Sequence, residues 1–223
     1  MEALGQLVAS IAHEIRTPLT SIKAFTELLP HKYDNPDFRE KISRFVPQEI
    51  ERLNRVVNDL LTYSNPPAVQ KEKILLKALV DDVMVYFVDV FSRQDIQVRR
   101  ELDERLWVEV DKNQMKQVWI NVLLNAVQAL KDQAEPRLTI ASELGADGQV
   151  VLSVSDNGPG IAPPVQAKVF EPFFTTKSDG TGLGLFVSYQ LARRNDVEIR
   201  LNSSPGFGTE VRLIFSRDQE GAA

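Results

Sequence analysis

The chain has no cysteine and only two histidines in 223 residues. Disulfides and thiolate metal centres are thereby excluded, and two imidazoles are too few for a histidine-rich metal site. The lack of cysteine also suits a reducing compartment. No run of about twenty apolar residues occurs, so no segment reads as a membrane-spanning helix. The opening residues carry Glu2 and no basic cluster, unlike a secretory leader. Basic residues are not in excess either. Lys and Arg number 26 against 31 Asp and Glu, a formal net charge of −5, which argues against a nucleic-acid binder that works by phosphate neutralisation. With 43% hydrophobic residues, the chain reads as a packed protein of one large or two medium domains.

What is present begins with helical periodicity. Leu4, Val8, Ile11, Ile15, Pro18, Ile22, Phe25 and Leu29 alternate in steps of three and four. That spacing predicts a helix over residues 1–30 with a bundle seam. The segment HKYDNPD at 31–37 is a turn punctuated by Asn-Pro. A second helix is predicted over 38–64, its seam Val46, Leu53 and Leu60 interleaved with Ile50 and Val57. Two such helices joined by a short loop make an antiparallel hairpin. A lone hairpin leaves an apolar stripe uncovered, so two copies are expected to close into a dimeric four-helix bundle. The alternative is a monomer whose stripe packs on the second domain. Pro18 and Pro47 fall inside these helices and are expected to kink them.

The heptad count also puts His13 at the outermost position, away from the seam. Imidazole changes protonation near neutral pH. Beside a carboxylate, here Glu14, it is a nucleophile with a base next to it. A surface histidine on a helix is ordinarily inert, so the remainder of the chain has to decide.

From about residue 71 the pattern changes. Helical stretches near 77–92, 112–132 and 183–194 alternate with strands near 96–101, 107–110, 137–144, 149–155, 197–202 and 209–215. The expected class is α+β: the N-terminal hairpin, then an α/β sandwich with helices on one face of a mixed sheet. On the 112–132 helix, Gln114, Gln117, Asn121, Asn125 and Gln128 align on one side. Amide oxygens can ligate a hard cation and amide nitrogens can donate to phosphate, though such a stripe can equally be an ordinary polar face. In VSDNGPGI, Asp156 ends a strand, and Gly158 and Gly160 permit tight turns and close approach to a ligand. A carboxylate there can accept from an exocyclic amine such as that of adenine. In FEPFFTTKSDGTGLGLF, three glycines open a helix, a place suited to anions. The run is not a dinucleotide fingerprint, because no strand feeds directly into it.

Together these residues resemble a sensor histidine kinase, with a phosphoacceptor hairpin followed by an ATP-binding domain of the gyrase, Hsp90, histidine kinase and MutL superfamily. Five motifs stand in the family's order: the box around His13, NVLLNAVQAL, DNGPG, FEPFF and GTGLGL. The resemblance implies domains at 1–66 for dimerisation and phosphoacceptance and 73–217 for ATP binding, with a linker at 67–72 and a tail at 218–223. It implies that His13 accepts the phosphoryl group and that Glu14 takes the imidazole proton. Thr17 matches the position that orients water for dephosphorylating a partner. Asn125 matches the Mg²⁺ ligand, supported by Asn121, and Asp156 the adenine-reading carboxylate. Gly158, Gly160, Gly180, Gly182 and Gly184 match the glycines around the nucleotide and its lid, with Phe170, Thr181 and Leu183 in the same nucleotide-binding motifs.

Two departures stand out. Gln128 occupies a place where many relatives carry lysine, and Lys177 is expected to supply that cation. Where relatives often have His-Gly-Gly after the last helix, this chain has Arg194-Asn195-Asp196.

The function implied is ATP-dependent autophosphorylation on His13, transfer to an aspartate of a response-regulator receiver domain, and dephosphorylation of that regulator. ATP and Mg²⁺ are the implied cofactors. A homodimer and the receiver domain are the implied partners, without nucleic acid or membrane contact by this segment. The alternatives are an ATPase of the same superfamily without phosphohistidine, or an ATP-binding scaffold. Gyrase-like members need a glutamate where this chain has Asn121. A chain beginning a dozen residues before its phosphoacceptor leaves no room for a sensor. It reads as the cytoplasmic catalytic core of something longer.

Overall fold

The structure, a computed structural model, describes residues 2–64, 68–145, 147–177 and 182–216. Side chains are described for residues 11–61 other than 13, 55, 58 and 59, and throughout the later segments. The chain forms two compact units: Met1–Pro67 with Pro172–Leu183, and Ala68–Glu171 with Gly184–Ala223.

The first unit is built on α1 (Glu2–Lys32) and α2 (Pro36–Ser64). The turn between them is set by Asn35, whose Oδ1 accepts from the Phe38 amide at 3.1 Å, followed by Pro36 in the first helical turn. α1 runs to Lys32, past the expected end at 30, and is continuous through Pro18. Pro18 is buried, and Phe25 packs against Phe38 and Phe45 with ring centroids 6.0 and 5.0 Å apart. Within one hairpin the α2 seam is only partly covered. Val46, Leu53 and Leu60 are half-buried, but Val56 is the fully buried residue, while Ile50 and Val57 are exposed. A single neighbouring helix covers only one side of α2, and these two residues lie outside it.

The second unit is a five-stranded mixed sheet, β2 (Gln97–Glu101), β4 (Arg137–Leu144), β5 (Val150–Asp156), β7 (Gly208–Phe215) and β6 (Val197–Ser204), in that spatial order. Among the described residues, only β2 and β4 run parallel. A separate antiparallel ribbon pairs β1 (Glu72–Leu75) with β3 (Trp107–Val110). Alternation along the strands separates two faces. Leu138, Ile140, Leu152, Val154, Leu213, Phe215, Val197 and Ile199 are buried. The opposite face carries Thr139, Ser153, Arg200 and the Arg212–Glu143 ion pair.

Helices α3 (Leu76–Met84), α5 (Lys112–Leu130) and α7 (Gly184–Arg194) contribute the other half of the core. Trp119, Met115, Leu123 and Leu191 are among its fully buried members. The helix expected over 77–92 is broken. It becomes α3, a 3-10 turn at Val85–Phe87 and α4 (Val88–Arg93). Phe87 and Phe91 stack inward at 5.7 Å, and the β-branched residues around them are poor helix formers. α6 (Pro163–Gln166), absent from the sequence expectation, is a single turn opened by two prolines.

Candidate functional sites

In the first unit, His13, Glu14 and Thr17 all lie on α1. One helical turn separates Thr17 from His13, so their backbones share a face. Glu14 is half-buried and Thr17 exposed. The side chain of His13 lies outside the described residues. Of the glycine-rich segment, Gly180 and Thr181 also lie outside them. Lys177 is exposed, its amide donating to Thr175 Oγ1 at 3.0 Å. Gly182 has φ +66, and a Cβ on it would lie 2.4 Å from the Phe173 carbonyl carbon. Phe173 itself has φ +64, an uncommon conformation for a bulky residue, so this close approach is backbone against backbone. Leu183 is buried.

In the second unit the candidate nucleotide-binding residues gather on α5, the β5 end and the start of α7. Asp111 caps α5. Its Oδ1 accepts from the amides of Asn113 and Gln114, both at 3.0 Å, and its Oδ2 accepts from Gln70. A cap of this kind contributes about 1 kcal/mol. Further along α5, Asn121 Nδ2 donates to the Gly184 carbonyl and to Ser188 Oγ, each at 3.1 Å. Asn125 Nδ2 donates to the Asn121 carbonyl at 3.0 Å. The amide stripe is therefore not one surface. Gln114 is buried, Gln117, Asn121 and Asn125 are half-buried, and Gln128 is exposed. α7 and the residue after it bond to Asn121 and Gln114, leaving Asn125 and Gln128 beyond that contact.

Asp156 ends β5 half-buried, with Oδ1 accepting from the Gly158 amide at 2.9 Å. Gly158 is buried against α5, where a Cβ would stand 3.0 Å from Ala129 Cβ. At Gly160, φ is +72 and a Cβ would collide with the Ser204 carbonyl oxygen at 2.0 Å. The DNGPG loop is thus pinned from two directions. Asn157 accepts from the Arg137 amide at 2.7 Å and donates to the Glu135 carbonyl at 2.8 Å. On the other side Ser203 Oγ accepts from the Ile161 amide, and Gln166 donates to the Ile161 and Ser203 carbonyls. Phe170 packs on Tyr189 of α7 with centroids 5.3 Å apart. Gln166, Ser203 and Gly208 were not singled out from the sequence as site residues. Gly208 had a visible signal, a glycine in SPGFGTE, but its neighbour across the turn is a tertiary fact.

The helix carrying Asn121 and Asn125 is braced from α3. Asp82 pairs with Lys116 at 2.7 Å and Lys112 at 3.0 Å, both on α5. Hydrogen bonds from Lys116 and then Lys112 hold the Asp82 carboxyl below its ordinary range. At neighbouring Asp81, burial works against ionisation, but hydrogen bonds from Lys77 and Arg100 outweigh it and the pKa is again lowered.

The family model of the His Kinase A phospho-acceptor domain matches residues 3–68, and that of the histidine kinase-, DNA gyrase B- and HSP90-like ATPase matches 110–219. The catalytic domain of the histidine kinase ThkA is 30% identical with TM-score 0.60, covering 66% of this chain and 96% of that one. The chain belongs to the histidine kinase family. The histidine kinase ThkA solved with its response regulator TrrA superposes with TM-score 0.83 at 29% identity, over 99% of this chain and 64% of that chain. The signal transduction histidine-protein kinase AtoS of Escherichia coli K12 is 36% identical over 222 residues, 99% of this chain and 36% of AtoS. The chain spans between a third and a half of the length of the curated kinases it matches first. The fold class expected from the sequence, a helical hairpin followed by a mixed sheet with helices, is the one observed. Among the described residues, no helix is long and apolar enough to cross a membrane.

Proposed function

We propose that this chain uses ATP to phosphorylate His13 and passes the phosphoryl group to an aspartate of a response-regulator receiver domain. The observation that carries this reading is the pairing of two parts in one chain. A phospho-acceptor helix bears His13 and Glu14, and a nucleotide lobe has Asn121, Asn125 and Asp156 fixed by hydrogen bonds. In the first step an imidazole nitrogen of His13 attacks the γ-phosphorus. The bond to the ADP oxygen breaks, and the imidazole proton passes to Glu14. In the second step an aspartate oxygen of the partner displaces the imidazole, forming an acyl phosphate and regenerating His13. Thr17, one turn along α1, is the residue that orients water for the reverse task, dephosphorylating the regulator.

The donor set fits a magnesium nucleotide. Among the described residues no cluster of His, Asp or Glu could hold a metal by itself. Mg²⁺ retains waters and takes phosphate oxygens, so one amide oxygen from Asn125 beside the phosphates is a suitable protein ligand. When bound, Mg²⁺ neutralises charge on the phosphates. Asp156 reads the adenine amine, and Gly158 and Gly160 let the backbone come close. By the family's motifs, Lys177 is the cation assigned in place of Gln128, and Phe170, Gly180, Thr181, Gly182, Leu183 and Gly184 are assigned to the nucleotide.

A superfamily ATPase is the weaker reading, because Asn121 is committed to Gly184 and Ser188 and an amide is no base. A homodimer is inferred from the exposed Leu19, Ile50, Val57 and Leu61 on the hairpin, which a second copy would cover. A cytoplasmic location follows from the need for ATP and a receiver domain. Incubation with γ-labelled ATP tests the whole reading. Wild type should take up label that is stable to alkali and labile to acid, and His13→Gln should take up none. Label that survives acid, or appears equally in His13→Gln, would overturn it.

A further inference from the structure

α5 and α7 are joined by two polar rungs. The first is Asn121 on Gly184 and Ser188. The second is Asn195, which follows the last residue of α7 and is 2% exposed. Its Oδ1 accepts from the Asp111 amide at 2.7 Å. Its Nδ2 donates to Gln114 Oε1 at 3.0 Å and to the Leu191 carbonyl at 2.9 Å. From Gln114 to Asn121 is seven residues, as is Ser188 to Asn195. The rungs thus stand roughly 10 Å apart on two antiparallel helices rising 1.5 Å per residue.

We propose that Asn195 is a positioning residue for nucleotide binding, fixing α7 in register along α5. The proposal rests on the reading of Asn121, Asn125 and the start of α7 as the ATP site. Between the rungs the buried residues are apolar, such as Val118 and Leu191, and their attraction has no direction. Such contacts tolerate small slides. The Asn195 node does not, because a shift of one residue would part Asn195 from both the buried Asp111 amide and Gln114 Oε1, the two bonds that cross to α5. Asn195 also locks the turn that follows, where Asp196 takes φ +57 and pairs with Lys71. Without Asn195 the Asn121 rung alone sets the register, and Asn125 lies one turn beyond it.

A register that is correct only part of the time weakens apparent affinity by the lost fraction and leaves the bound complex unchanged. Asn195→Ala is therefore expected to raise the Kd and KM for Mg-ATP at least fivefold, with phosphorylation at saturating ATP within twofold of wild type. The comparator is Val151→Ala, a buried change on the opposite face of the sheet, measured at a temperature where both variants are folded. It should leave affinity within twofold. Gln114→Leu should act in the same direction, and Asn195→Ala with Gln114→Leu should cost no more than the larger single change. Asn195→Ala that binds Mg-ATP as Val151→Ala does would overturn the proposal. If Asn195→Ala does not fold, unchanged affinity in Gln114→Leu overturns it instead. A wild type that binds Mg-ATP but never labels His13 would end the kinase reading and leave this one standing.

Discussion

Gly208 stands so close to Asp156 that a Cβ on it would lie 1.9 Å from the Asp156 carbonyl oxygen. The β6–β7 turn thereby buttresses the strand end that presents the Asp156 carboxylate, proposed above to read adenine. Gly208 also has φ +86, which L side chains rarely adopt. Gly208→Ala must displace one backbone or the other. It is expected to weaken Mg-ATP binding at least tenfold, about 1.4 kcal/mol, measured by titration with a fluorescent nucleotide. Gly206→Ala is the control: it shares a positive φ, but a Cβ there meets nothing within 4 Å. It should lower Tm without moving affinity.

Asn121 faces the carbonyl of Gly184, so a carboxylate in its place would meet an oxygen rather than a water. Asn121→Glu is thus expected to lose nucleotide binding and to gain no hydrolysis. Phosphate release in the presence of excess ATP measures this. A variant that hydrolyses ATP faster than wild type would show that the residue can turn towards the nucleotide, and would revive the ATPase reading.

The amide stripe on α5 shows where a sequence stops being informative. Five amides at helical spacing were legible as one face. That Gln114 is buried on Asn195 while Gln128 stays in solvent depends on a residue 81 positions away. The DNGPG loop was legible because glycine has few substitutes where backbones nearly touch. Ser203 and Gln166, which hold that loop, carry no local mark, since serine and glutamine occur on any surface. In the hairpin the helical period is legible, but which α2 residue faces α1 is not. Val56 rather than Val57 turns inward, and one residue is a rotation of about 100° on a helix of 3.6 residues per turn. The 3-10 break at Val85–Phe87 has no sequence signal, because Phe87 and Phe91 are still four apart, as in a continuous helix.

Lys177 is the described cation in the segment that follows FEPFF, and Gln128 leaves the usual lysine place uncharged. Lys177→Ala should raise the KM for ATP several-fold and leave Tm unchanged, since Lys177 is exposed. Lys177→Arg should restore most of the affinity. Steady-state labelling across a range of ATP concentrations measures both. Equal KM values in wild type and Lys177→Ala would refute the compensation.

Asp82 ties α3 to α5 through Lys112 and Lys116, and its pKa is lowered below 3.8 by those bonds. A carboxylate with a depressed folded-state pKa stabilises the fold while ionised. Its contribution is fully present above the unfolded value of 3.8 and disappears as pH falls through the lower folded value. Asp82→Asn lacks the contribution at every pH. The Tm difference between wild type and Asp82→Asn should therefore be constant from pH 7 down to about 5 and then close as pH falls below 3.8. The pair is partly solvent-exposed, so the gap at pH 7 should be small, on the order of a few degrees, and should shrink in high salt. A gap that widened on acidification would mean that the lysines, not the carboxylate, set the energetics of this contact.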